Sequence, residues 1–394
     1  MKKPAIEGGA PEREVFLPFY RPLIGKEEKD EVLRVLDSGW LTTGKLTIEF
    51  EDQFKKYIGS KHALAVNSCT SALFLLLKAM GIKQGDEVIT SPYTFAATAN
   101  VIVHCGAKPV FCDTMDDFNI DASEIRKKIT KKTKAIIPVH FAGKPCDMDK
   151  IKEIVAGKDI KIIEDSAHAL GAVYKGKKSG MLGDAAAFSF YVTKNITTGE
   201  GGMITTNDDG LAEKLATLRL HGISKDAWKR YSKAGSWKYD VIQAGFKCNM
   251  MDIQSAIGIH QLKKLDKLNK EREDIVKKFN KEFRNDPALI VPEEVVGCSW
   301  HIYPLRLNLN KLSIDRDKFI ESLSMENIGS SVHFIPLHLM KFYKEEFGYK
   351  PGDFPVAEKN FAGEISLPMF PGMSNTDIQD VINAVKKLTS YYSK

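Results

Sequence analysis

Between His62 and Asp165, short apolar runs alternate with helical segments, and no other feature narrows the possible folds as far. His62–Asn67 (HALAVN), Asp86–Thr90 (DEVIT), Lys108–Asp113 (KPVFCD), Ala135–Val139 and Lys161–Asp165 (KIIED) read as strands. Helices are expected between them, from about Thr70 to Met80, Phe95–Cys105, Ala122–Ile129 and Met148–Val155. Continuously apolar strands joined by helical crossovers predict a mainly parallel sheet covered on both faces.

The rhythm changes after Asp184. Ala185–Tyr191 and Gly202–Thr206 look like two strands joined by a short loop, VTKNITTGEG, which suits an antiparallel pair and hence a mixed sheet. From Met251 a helical period runs without a breaker to Phe283, long enough to bridge two lobes. Tyr303–Leu307, a helix near Arg316–Met325, Ser331–Ile335 and a last helix over Ser374–Tyr391 read as a small α+β unit. The expectation is a two-lobed α/β chain. A large α/β domain with an N-terminal arm takes residues 1–250, and the long linking helix with a small α+β domain takes 251–394.

Composition removes several function classes. There are 57 Lys and Arg against 51 Asp and Glu, a net charge of +6 that suits an anionic ligand. The excess is too dispersed to argue for nucleic acid, and no helix-turn-helix is recognisable. Lys263, Lys264, Lys267 and Lys270 share their helix with acidic residues and read as a solvated face. The six cysteines form no CxxC pair and have no histidine at zinc-finger spacing, so no metal is expected and the chain reads as reduced and cytoplasmic. The start, MKKPAIEGGAPEREV, lacks the apolar core of a signal peptide. The most apolar run, Ala72–Leu77, is far short of the ~20 residues that span a bilayer.

Ligands of open α/β sheets gather at the carboxyl ends of the strands, and three places there could carry chemistry. Asn67-Ser68-Cys69-Thr70-Ser71 follows a strand and opens a helix, where free N–H groups and hydroxyls can hold phosphate. The same residues would also serve as an ordinary helix cap. Asp165 ends a buried strand, where a carboxylate needs a partner. A protonated pyridine nitrogen is one such partner, and a helix N-terminus is another. Lys194 lies in a loop rich in Gly and Thr between two apolar strands, placed to be desolvated and so nucleophilic, although most lysines of this chain face solvent. Together the three match what pyridoxal phosphate needs, for its phosphate, its ring nitrogen and its aldehyde.

The ordered segments NSCTSAL, GDEVITSPYTFAATAN, GAKPVFCD, EDSAHALGA, FSFYVTKNITTGEGGM, RLHGI, GFKCNMMDIQSAIGIHQLKKLD and SVHFIPLH resemble the DegT/DnrJ/EryC1/StrS family of pyridoxal-phosphate sugar aminotransferases, from about Phe16 to the C-terminus. The resemblance implies the aspartate-aminotransferase-like fold, type I of the PLP-dependent transferases, and a homodimer with active sites at the subunit boundary. It also implies catalytic roles for two residues. Lys194 matches the lysine that bonds the cofactor aldehyde and later shuttles a proton, and Asp165 the carboxylate on the pyridine nitrogen. His168 matches the polar residue facing the ring oxygen, and Phe95 the aromatic that stacks on the ring. Thr70 with Cys69 or Ser71 matches the phosphate turn, and Ser189 a further phosphate ligand. The family takes one more phosphate contact, an Asn, from the neighbouring subunit. Many members have Asn and then Arg where this chain has Lys247 and Asn249, and the contact is assigned to Asn249 with Lys247 the alternative.

On the substrate side the resemblance points to Tyr20, to Trp40 and Thr42 within SGWLTTG, and to His333 and Phe334. Trp40 and Phe334 fit core packing equally well. The implied reaction moves an amino group from glutamate to a nucleotide-diphosphate-linked keto-sugar. A UDP-linked 4-keto sugar is favoured, for amino-sugar or surface-polysaccharide synthesis. Family dehydratases replace the lysine with histidine, so Lys194 favours transamination over that alternative. A regulatory DNA-binding role is the second alternative.

Overall fold

The computed structural model describes residues 2–223 and 239–394. After an N-terminal arm come helices α1 (Lys26–Ser38) and α2 (Lys45–Ile58). The alternating region then runs β1 (His62–Val66), α3 (Cys69–Ala79), β2 (Glu87–Thr90), α4 (Ala96–His104), β3 (Lys108–Phe111), α5 (Ala122–Lys128), β4 (Thr133–Ile137), α6 (Met148–Val155) and β5 (Lys161–Asp165). A two-residue hairpin, β6 (Val173–Tyr174) and β7 (Lys177–Lys178), precedes β8 (Ala185–Ser189), β9 (Gly202–Thr206) and α7 (Asp209–Leu218).

These strands form a seven-stranded sheet in the order β1-β9-β8-β5-β4-β2-β3. The pairs from β3 through β8 are parallel, and β9 lies antiparallel between β8 and β1. The mixed sheet and the antiparallel β8–β9 pair are as expected, with Ala185 opposite Thr206 and Ser189 opposite Gly202. Every residue of β8 and β9 is buried, which is why these strands show no polar alternation. Helix α3 buries Leu73, Leu75, Leu76 and Leu77 and so packs in the interior rather than along one apolar stripe.

The long helix α8 (Asp252–Phe283) follows, then β10 (Leu289–Ile290), β11 (Tyr303–Leu307), α9 (Arg316–Met325), α10 (Lys341–Phe347), α11 (Pro355–Gly363), β12 (Glu364–Leu367) and α12 (Asn375–Tyr391). A second sheet takes the order β10-β11-β12. Its core joins Phe279 and Phe283 of α8 to Leu305, Phe319, Ile365 and Val385.

Two differences from expectation have local causes. Ser331–Ile335 is not a strand. Ser331 alone bridges to Ser366, and the next free donor, the His333 N–H, goes to the Glu364 carboxylate at 2.9 Å. The first part of the N-terminal arm, expected with the first 250 residues, contacts the other end of the chain, while Tyr20 further along it reaches Lys194. Leu17 exchanges backbone bonds with Asn327 and Gly329, and the Ala5 and Glu12 N–H groups are held by the Glu326 carboxylate, 2.8 Å each.

Among the described residues no helix is long and apolar enough to cross a membrane, and no cluster of His, Cys, Asp and Glu could hold a metal ion.

Candidate active site

Because β1, β2, β4, β5 and β8 point the same way, their carboxyl ends share one edge of the sheet, and the loops leaving them surround a cavity of about 450 Å³. Cys69, Thr70, Phe95, Asp165, His168, Ser189, Lys194, His333 and Phe334 all line it. Residues up to 265 positions apart thus converge through topology rather than through proximity in sequence.

At the end of β1 the Ser68 hydroxyl caps α3 by accepting from the Ser71 N–H at 3.0 Å. Ser71 is thereby part of the cap and does not itself line the cavity. The approach of β9 to this turn requires glycine. A Cβ on Gly202 would stand 2.6 Å from the Ser68 carbonyl carbon and 2.7 Å from the Cys69 nitrogen. The turn presents first-turn N–H groups and the Ser189 hydroxyl across the strand ends, a donor set suited to phosphate.

Asp165 ends β5 and is 4% exposed. Its Oδ2 accepts from Thr98 Oγ1 at 2.8 Å and its Oδ1 from the Ala167 N–H at 3.1 Å. Burial raises its pKa, against the pull of these two donors and of Lys194. The preceding residue, Glu164, points to the other face of the strand. There it binds the N–H groups of Gly180, Leu182 and Gly183 at 2.7–2.9 Å and His140 at 3.0 Å, pinning the loop that leads into β8.

Lys194 enters from the loop after β8. Its amine has no hydrogen bond or ion pair among the described residues, and desolvation pulls it down to about 8, with Cys69 and Asp165 opposing. Its carbonyl accepts from the Tyr20 hydroxyl at 3.2 Å and from Arg272 at 3.4 Å. Arg272 is fully buried on α8 and has no carboxylate partner among the described residues. Tyr20 therefore sits beneath the lysine rather than in the cavity.

His168 accepts from the Ala142 N–H through Nδ1 at 3.3 Å, so its proton sits on Nε2, and burial keeps the ring neutral. Its ring stacks on Phe334 with centroids 5.7 Å apart. Phe95, the N-cap of α4, is 64% exposed at the cavity and lies 6.0 Å from the Phe334 ring. Thr94, Thr98, Tyr191, Thr193 and Glu200 also line the cavity. None of these five stood out in the sequence, although Thr98 lies three residues after Phe95, the spacing of one helical face.

Trp40, Thr42 and Asn249 lie outside this chain's own cavity. Trp40 and Thr42 are exposed, and the Trp40 Nε1–H donates to the Thr43 carbonyl at 3.1 Å. Asn249 donates to Thr43 Oγ1 at 2.7 Å, and Lys247 is exposed.

Comparisons with known proteins point to one family. A model of the DegT/DnrJ/EryC1/StrS aminotransferase family matches residues 22–386. MJ1066 of Methanocaldococcus jannaschii is 58% identical over 381 residues, 96% of this chain and 99% of that protein. The spore coat polysaccharide biosynthesis protein SpsC of Bacillus subtilis is 50% identical over 380 residues, 95% of this chain and 98% of that one. Among solved structures, Spr1654 of Streptococcus pneumoniae, described as a sugar aminotransferase, superimposes with a TM-score of 0.89. It does so at 35% identity over 95% of this chain and 99% of that one in its PMP form, and its PLP form matches equally well in fold.

Proposed function

The chain belongs to the DegT/DnrJ/EryC1/StrS aminotransferase family, and we propose that it moves an amino group from glutamate to a nucleotide-diphosphate-linked keto-sugar, with a UDP-linked 4-keto sugar favoured. The product would serve amino-sugar or surface-polysaccharide synthesis in the cytoplasm. The observation that carries the reading is Lys194, an amine unpaired among the described residues and pulled down to about 8, facing a strand-end aspartate and a capped helix start within one cavity.

Pyridoxal phosphate supplies the aldehyde that accepts an amine and the ring that withdraws electrons from the carbon losing its proton. The donor set fits it. The first turn of α3 and Ser189 would hold the phosphate, and Asp165, aligned by Thr98 and Ala167, would hold the ring nitrogen in its protonated form. Phe95 would cover one ring face, and His168 Nε2–H would donate to the ring oxygen. Lys194 Nζ would bond the aldehyde at rest. When displaced, it would take the proton from the Cα of glutamate and later deliver one to the aminated sugar carbon.

His333 and Phe334 stand at the cavity where a sugar would enter. Tyr20 and Arg272 anchor the lysine peptide from below. The position of Trp40, Thr42 and Asn249 outside this chain's own cavity supports a homodimer in which each chain lends them to its partner's site.

The test is an absorbance spectrum of purified protein with pyridoxal phosphate, before and after glutamate, beside Lys194→Ala. A cofactor band that glutamate bleaches in the parent, absent in the variant, supports the reading, and a panel of nucleotide keto-sugars then identifies the acceptor. A band indifferent to every amino donor would remove transamination, and no band would remove the cofactor.

A further inference from the structure

A chain of hydrogen bonds leads from a buried carboxyl group to the cavity. Glu364, at the start of β12, is 0% exposed and has no cation within ion-pairing distance among the described residues. Its Oε2 accepts from the His333 N–H at 2.9 Å, and its Oε1 lies 2.5 Å from the Ser366 hydroxyl. Ser366 Oγ lies in turn 2.8 Å from His333 Nδ1. Glu364 and Ser366 share a face of the strand, two residues apart, and Ser366 also exchanges both backbone bonds with Ser331, which fixes the segment carrying the histidine. His333 lines the cavity, and its Nε2 has no partner among the described residues.

Resting on the proposed function, we propose that Glu364, acting through Ser366, determines which ring nitrogen of His333 carries the proton, and so whether the imidazole offers the sugar substrate a hydrogen-bond donor or an acceptor. Glu364 and Ser366 are positioning residues in this scheme, and His333 is the group that meets the ligand.

The direction of each bond follows from the hydroxyl between them, which donates only one proton. While Glu364 holds its proton it donates to Ser366 Oγ, Ser366 donates to His333 Nδ1, and the ring proton stands on Nε2, facing the cavity. When Glu364 releases that proton to solvent it accepts from Ser366. The serine oxygen then accepts from Nδ1–H, and Nε2 becomes an acceptor. The imidazole is neutral in both arrangements; its proton has moved from one nitrogen to the other.

Burial sets where the change falls. It pushes Glu364 up to about 8, against its bonds from Ser366 and His333 and the field of Arg316 on α9. Other groups facing the pair are Tyr93, whose hydroxyl is buried, and Arg306 on β11, which is turned to Asn360 and Asp116. Burial and Lys194 hold His333 itself at about 3, so a charged imidazole does not compete. His168 and His301, the other histidines near it, are likewise held neutral. Below about 8, then, the cavity meets a donor, matched to a ketone or phosphate oxygen.

The experiment is nitrogen-15 NMR of the cofactor-loaded protein labelled in histidine, two pH units below and above about 8, with His333 assigned by its loss in His333→Gln. The two tautomers differ strongly in their nitrogen shifts. In the parent, Nδ1 should change from the unprotonated to the protonated type across this range. Glu364→Gln, whose amide N–H donates to Ser366 at every pH, should keep the low-pH pattern throughout, and Ser366→Ala should abolish the pH response. The cofactor absorbance band confirms that each variant is folded. A His333 tautomer that is the same at both pH values in the parent, or a transition that survives in Glu364→Gln, would overturn the proposal. The readout needs no sugar, so failure of every keto-sugar to be aminated would strike the proposed function without touching it.

Discussion

Thr98 Oγ1 donates to Asp165 Oδ2 at 2.8 Å across 67 residues of sequence, tying the first turn of α4 to the end of β5. The bond leaves the buried carboxylate one firmly held oxygen and fixes its plane toward the cavity. Asp165 is held further by the Ala167 N–H, so the loss of one donor loosens rather than frees it.

Thr98→Val should therefore lower kcat about tenfold, the scale of losing a hydrogen bond to a charged group worth ~1.5 kcal/mol. Asp165→Asn removes the charge itself and should cost roughly 10²–10³-fold. Steady-state kinetics of both variants on one substrate pair would check the ranking. Equal losses would contradict a supporting role for Thr98.

The pH dependence of cofactor capture follows from Lys194. Desolvation disfavours its charged form and lowers it from the usual lysine value to about 8, so the neutral, nucleophilic amine accumulates as pH rises through about 8. The rate at which the cofactor-free protein forms its absorbance band should climb up to that point and level off above it. A rate still climbing in proportion to hydroxide near the ordinary lysine pKa would show an amine in open water.

Gly202→Ala tests the contact between β9 and the start of α3. Its Cβ would meet backbone atoms at 2.6–2.7 Å, which no side-chain rotation relieves. The expected cost is ~1–3 kcal/mol of stability, with weaker cofactor binding because the displaced atoms belong to the turn proposed to hold the phosphate. Thermal unfolding with and without pyridoxal phosphate measures both. A variant with unchanged melting and affinity would mean that the strand and helix slide apart freely.

Glu326 and Lys387 form a buried ion pair at 2.8 Å that also binds the arm through Ala5, Ala10 and Glu12. Glu326→Ala leaves the lysine charge buried without its partner, at a cost of about 3–5 kcal/mol. Denaturant midpoints should fall accordingly, and the first 12 residues should become the earliest site of protease cleavage. Because Tyr20 continues this arm to the Lys194 carbonyl, glutamate should also bleach the cofactor band more slowly than in the parent. Cleavage elsewhere would place the weak point outside the arm.

The sequence by itself determined the parallel sheet, since strands buried on both faces must be continuously apolar, and it marked the ends of β1, β5 and β8 through Ser68, Asp165 and Lys194. It also carried the family resemblance, because those three groups stand in long ungapped motifs. Tertiary structure alone decided what depends on meetings between distant segments. Thr98 on Asp165, Tyr20 and Arg272 under Lys194, and Glu364 behind His333 each join residues whose local sequence shows only an ordinary helix, arm or strand. Trp40, Thr42 and Asn249 belong to the same class, since only the folded chain shows that they lie outside its own cavity. Hydrophobic periodicity records which face of an element is buried; it holds no record of which neighbour covers that face, and the chemistry of this site is made of such neighbours.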